Sequence, residues 1–105
     1  MSQFSLYSNQ NPSSKRVYPY LLDIQSSLVQ TLDTRLVIPL VPKDQYGSEL
    51  IANLNPVLRV DNREYVVLTQ QMAAVPRTML GACAGEYTAY RQGILSTIDF
   101  LITGI

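Results

Sequence analysis

Histidine and tryptophan are absent from this sequence, and cysteine occurs once, as Cys83. Without an imidazole no histidine-based catalytic triad can be built. A single thiol supports neither a disulfide framework nor a clustered thiolate and imidazole zinc site. No sign of charge is in surplus, since eight Lys and Arg balance eight Asp and Glu. That leaves no broad field to hold nucleic acid or anionic lipid by counterion release, so any nucleic-acid contact is expected to be local or made through a partner. No apolar run approaches the roughly 20 residues that span a bilayer. The opening Met1-Ser2-Gln3-Phe4-Ser5-Leu6 also lacks the basic-then-apolar pattern of a secretory signal. The expectation is a soluble, cytoplasmic protein without metal, cofactor or membrane contact.

What is present fits one domain over residues 1–105, because an apolar fraction of 47% in a chain of that length fills a modest core. The patterning reads as strands first and a helix last. Gln3 to Tyr7 alternates apolar and polar residues, and the turn-rich stretch from Ser8 to Lys15 makes a hairpin with the aromatic and aliphatic run Arg16 to Ile24. Pro19 cannot donate a ladder hydrogen bond, which predicts an edge position or a bulge there. Arg35 to Leu40 reads as a compact strand closed by Pro39 and Pro42, followed by a mobile loop from Val41 to Asn53 with one helical turn near Glu49 to Ala52. Val57 to Val60 and Glu64 to Leu68 flank Asp61-Asn62-Arg63, a hairpin signal because Asp and Asn tolerate the positive φ of tight turns.

The closing run Tyr87 to Ile102 has helical periodicity. At about 100° per residue, Tyr87, Tyr90, Ile94, Leu95, Ile98, Leu101 and Ile102 fall in one apolar sector that is expected to pack on the sheet. Phe100 falls on the opposite face among small and polar residues, and an aromatic there marks an interface. Gly104 is placed to supply a left-handed C-cap. Thr103, Gly104 and Ile105 follow directly, which makes this end a candidate contact tip.

Several short patterns carry no chemistry. Gly81-Ala82-Cys83-Ala84-Gly85 has small-xxx-small spacing outside any membrane-length segment and reads as a flexible loop before the helix, with Cys83 an incidental small residue. Proline in the middle of Asn11-Pro12-Ser13 blocks a glycosylation acceptor. Asp61 and Glu64 flank a turn, and Asp33 and Asp44 sit in loops, so these carboxylates read as solvated charge rather than acid and base pairs. On residues alone the reading stops at a small β-rich binding protein.

A resemblance extends it. Leu22-Asp23-Ile24-Gln25-Ser26, Arg35-Leu36-Val37-Ile38-Pro39-Leu40, Leu54-Asn55-Pro56-Val57, Met72-Ala73-Ala74-Val75-Pro76 and the helix closing on Gly104-Ile105 together resemble the CcdB toxin family over nearly the whole chain. The resemblance implies a mainly β fold with a C-terminal helix: an SH3-like barrel over about residues 1–80 and a helix over about 86–103. It implies a homodimeric, non-enzymatic toxin of a bacterial toxin-antitoxin pair. Such a toxin binds the A subunit of DNA gyrase, traps the gyrase-DNA cleavage complex, and is neutralised by a CcdA-like antitoxin with which it represses its operon. Operator DNA is then contacted only through the antitoxin complex.

Carried over by position, the gyrase-contacting set is Ser26, Leu28, Val29, Asp99, Thr103, Gly104 and Ile105, to which the exposed-face reading adds Phe100. Well-known members carry tryptophan where this chain has Thr103 and a neutral amide where it has Asp99, so the anchoring role is expected to shift to Phe100, Ile102 and Ile105. The loop Val41 to Asn53 and the edge Phe4 to Tyr7 are the expected docking places for an antitoxin segment. One alternative is a MazF-like RNA-cleaving toxin, for which Arg35, Arg59 and Thr69 are the available suppliers of cationic and hydroxyl groups. Another is a non-toxic, antitoxin-binding regulatory homologue.

Overall fold

The computed structural model describes residues 1–104. Seven strands form one curled antiparallel sheet, a half-barrel: β1 (Ser5–Asn9), β2 (Tyr20–Asp23), β3 (Thr34–Pro42), β4 (Val57–Val60), β5 (Arg63–Val67), β6 (Ala73–Pro76) and β7 (Leu80–Glu86). The order is β4-β5-β3-β2-β1-β7, with β6 paired to the first half of β3. A single helix, α1 (Arg91–Thr103), closes the described chain. The expected mainly β fold with a C-terminal helix is what the chain adopts.

Strand alternation explains why both sheet faces are covered, since successive side chains point to opposite sides. Leu6, Leu22, Ile38 and Leu40 face the main core with Leu58, Val60, Tyr65 and Val67. Their sequence neighbours Tyr7, Leu21 and Val37 form a second cluster with Leu80 on the other face, and Val41, Val66 and Leu68 form a third. α1 docks on the main core through Ile94, with Leu95 and Ile98 packed beside it. Beneath the helix, Thr97 donates from Oγ1 to Ile94 O at 2.7 Å, which leaves Thr69 Oγ1 to donate to Thr97 Oγ1 at 3.0 Å.

The β4-β5 hairpin follows its turn chemistry. Val60 pairs with Arg63 across two residues, Asp61 and Asn62, with φ of 49° and 66°. Two adjacent positive φ values are what the twist of a two-residue hairpin requires. Arg63 therefore belongs to β5 rather than to the turn.

Other expectations are corrected. Residues 81–85 are not a loop: they lie in β7, a seven-residue strand paired with β1. Alanine, glycine and cysteine give no alternating signal, and the strand exists because β1 offers it a ladder. The hairpin strand after Pro19 is not at an edge, since β2 lies between β1 and β3 and begins one residue beyond the proline. Pro39 does not close β3 but sits inside it. Its carbonyl accepts from Leu68 N–H at 3.0 Å, so its missing donor faces the gap where β3 changes partner from β6 to β5. Residues 4–7 are no exposed edge either. Phe4 is buried at a φ of 64°, its N–H donating to Asp23 O and its carbonyl accepting from Tyr87 N–H, and β1 is paired on both sides.

The helix also starts later and faces differently than its periodicity predicts. Residues 88–90 form a 3-10 turn ahead of Arg91, and Tyr90, Leu101 and Ile102 are exposed rather than packed. The buried stripe is Ile94 and Thr97 with Leu95 and Ile98 half-buried, because only about the first two turns of α1 lie over the core. Phe100 is half-buried rather than turned to water.

Candidate interaction surface

The sequence-predicted residues fall on two elements. The first is the segment after β2, where Ser26 Oγ accepts from Leu28 N–H at 3.2 Å and starts the 3-10 turn Ser27–Val29. This short polar cap holds the turn without burying it. Leu28 is 93% exposed and Val29 41% exposed, so burial beneath the neighbouring turn accounts for neither. Leu32, which no sequence pattern singles out, is 50% exposed in the same segment. Three apolar side chains within five residues therefore lie on the surface of one short segment.

The segment is anchored from inside by a buried polar network. Asp23 and Arg35 are both fully enclosed, and Arg35 donates from Nε at 3.0 Å and from Nη2 at 2.6 Å to Asp23 Oδ2. Asp23 Oδ1 accepts from Gln25 N–H at 3.0 Å. The Gln25 side chain then reaches both ways, donating to Val29 O at 2.8 Å and accepting from Leu36 N–H at 2.9 Å. In the sequence, Asp23, Gln25 and Arg35 stand out only as parts of a resemblance. A charged pair on two separate strands gives no local pattern from which to read its burial.

The second group lies in the last turn of α1. Thr103 Oγ1 donates to Asp99 O at 2.7 Å, and Gly104 N–H donates to Phe100 O at 2.9 Å. Gly104 has a φ of 75°, the left-handed C-cap read from the sequence. Asp99, Thr103 and Gly104 are exposed, as is Ile102 at 73%. Phe100 lines a shallow cavity with Asn53, Pro56, Gly93, Ser96 and Gly104. Ile105 lies outside the described residues. The main core links the two groups: it holds Ile24, two residues before Ser26, and Ile98, one before Asp99.

The three side chains required for an RNA-cleaving cleft do not converge. Arg35 is enclosed with Asp23, and Thr69 is buried against Thr97 under the helix. Arg59 remains exposed, lining a charged concavity with Lys43, Asp44, Asn62, Arg63 and Glu64. There Lys43 pairs with Glu64 at 3.7 Å and Arg63 with Asp44 at 3.0 Å. The Asp44 hydrogen bond raises the Arg63 guanidinium above its ordinary value. These carboxylates are paired, solvated charge, and no group of three metal-ligating side chains occurs among the described residues. No helix among the described residues is long and apolar enough to cross a membrane.

Compared with known protein families, residues 3–104 match the family model described as "CcdB protein".

Proposed function

The chain belongs to the CcdB family of gyrase-directed toxins of toxin-antitoxin systems, and from that premise we propose that it binds the A subunit of DNA gyrase and holds the gyrase-DNA cleavage complex. The proposed contact set is Ser26, Leu28 and Val29 with Asp99, Phe100, Thr103, Gly104 and Ile105. The observation that carries this assignment is Leu28, a large apolar side chain left 93% exposed on a turn whose backbone is capped and braced. Keeping it in water is unfavourable unless a partner covers it.

Such a mechanism needs no catalytic group. A ligand that prefers one state of a cycling enzyme accumulates that state in proportion to its preference. Two copies of the chain related by a two-fold axis would present the contact set twice to a two-fold target and gain avidity without new chemistry. We further propose a homodimer acting in the cytoplasm and neutralised by a CcdA-like antitoxin, whose disordered segment folds on the toxin as it binds. The exposed loop carrying Glu49, Leu50 and Ile51 is the proposed docking place for that segment, and operator DNA is reached only through the antitoxin complex.

The test is gyrase cleavage of supercoiled plasmid with ATP, comparing the full chain with one ending at Ile102 and with Leu28→Asp. The expected result is linear DNA, released on protein denaturation, with the full chain alone. Absence of linear DNA with every protein would overturn the gyrase assignment.

A further inference from the structure

The segment that carries Leu28, Val29 and Leu32 is held on its outer side by a single residue from a distant strand end. Arg77 opens the 3-10 turn Arg77–Met79 after β6. Its backbone N–H donates to Asp33 O at 2.9 Å. Its guanidinium Nη2 donates to Leu32 O at 2.7 Å and also to Gln30 O. From the inner side, Gln25 Nε2 holds Val29 O. From outside the segment, the carbonyls of residues 29, 30, 32 and 33 are therefore engaged by Gln25 and Arg77, while Val29 O also accepts from Leu32 N–H at 3.4 Å within it. No carboxylate pairs with Arg77 among the described residues, so its charge is committed to these carbonyls.

A 3-10 turn of three residues has little intrinsic persistence. Its exposed leucines would favour conformations that tuck them against the sheet. Two carbonyls gripped by a planar guanidinium, and a third by the same residue's backbone, oppose that collapse. A charged donor makes stronger hydrogen bonds than a neutral one. We propose that Arg77 is a positioning residue that keeps the 26–33 segment in one conformation and so presents its apolar face ready to bind. The inference rests on the proposed gyrase contact for its biological meaning, but the conformational part stands independently of it. When only a fraction of the molecules holds the competent conformation, the apparent dissociation constant rises by the inverse of that fraction.

The experiment measures binding of the purified gyrase A polypeptide to the full chain and to Arg77→Ala, Arg77→Gln, Leu28→Ala and the Arg77→Ala/Leu28→Ala pair. Amide hydrogen exchange is followed on each protein without gyrase. In Arg77→Ala the expected results are a roughly tenfold weaker affinity if the competent fraction falls to about a tenth, and faster exchange at Leu28, Val29 and Leu32 by a similar factor. Exchange at Ile38 and Val67 should stay unchanged. Arg77→Gln, which keeps one neutral donor, should fall between. In the Leu28→Ala background the Arg77 substitution should matter little, because its effect runs through that face. Unchanged exchange in the segment overturns the proposal, as does acceleration spread equally over the core. Normal exchange effects with no gyrase binding by any protein, the unsubstituted chain included, would uphold the clamp and overturn the gyrase reading instead.

Discussion

Asp23 and Arg35 carry opposite charges where neither has access to water, and that arrangement is favourable only while both are present. Arg35 is not fully satisfied, because its Nη1 is buried without a hydrogen-bond partner. The pair is thus a poor source of net stability; it ties β2 to β3 and, through Asp23 Oδ1, holds the Gln25 backbone at the start of the 26–33 segment. Removing one partner leaves an uncompensated buried charge, which costs about 3–5 kcal/mol. Asp23→Leu is therefore expected to lose that much in urea denaturation. Replacing both, as Asp23→Leu with Arg35→Met, should recover most of it, falling short by the ~1 kcal/mol of the bond to Gln25 N–H. The double variant should nonetheless fray at residues 26–29, since the carboxylate that holds Gln25 has gone. A double variant less stable than Asp23→Leu alone would show that the pair contributes net stability.

Among the elements, those whose folding is dictated locally were legible in the sequence and those dictated by partners were not. The β4-β5 turn was readable because Asp61 and Asn62 are the residue types that enter positive φ. The Gly104 cap was readable for the same reason. β7 was not, since Leu80–Glu86 has no alternation and becomes a strand only against β1. The helix was legible as a helix, yet its angular pattern could not say how far along its length the core extends. That is why the periodicity places Tyr90, Leu101 and Ile102 inward and does not place Thr97 there. Of the candidate site, Leu28 and Val29 are legible only through the family resemblance, since no local pattern separates them from other apolar residues. The Arg77 brace is invisible because it joins residues 45 and 47 positions apart that only the sheet brings together, and Gln25 is set to reach Val29 O only by its buried contacts with Asp23 and Leu36. The Thr69–Thr97 contact is a similar long-range link and makes its own prediction. Thr97→Val preserves the shape but strands the Thr69 hydroxyl, at a cost of about 1–3 kcal/mol. Adding Thr69→Val should return much of that, because two facing methyls need no partner. Thermal denaturation of the two single variants and the pair checks it, and equal additive losses would contradict it.

For the molecule as a whole, a loss of stability at alkaline pH follows from Tyr20 and Tyr87. Burial pushes the Tyr20 phenol above its ordinary value, with the neighbouring Tyr65 adding to it, and the rings meet edge to face at 5.3 Å. Burial also raises Tyr87, whose hydroxyl donates to Arg59 O at 2.8 Å. Both groups release their protons more easily in the unfolded chain, whose tyrosines ionise near pH 10. Their contribution is therefore fully present below that pH and is lost as pH rises through the higher folded values. Stability should be insensitive to these groups from neutrality to about pH 9 and fall above about pH 10, less steeply in Tyr87→Phe when the losses are compared by urea denaturation. Assembly is the other property of the whole chain. The last turn of α1 leaves Leu101 40% exposed and Ile102 73% exposed. If the proposed homodimer forms along the helices, Leu101 is covered in it, and a charge there would be buried unpaired. Leu101→Asp should then sediment as a monomer at concentrations where the unsubstituted chain is dimeric, while Leu28→Asp should remain a dimer. Monomer formation by Leu28→Asp instead would move the dimer contact to the 26–33 segment and displace gyrase from it.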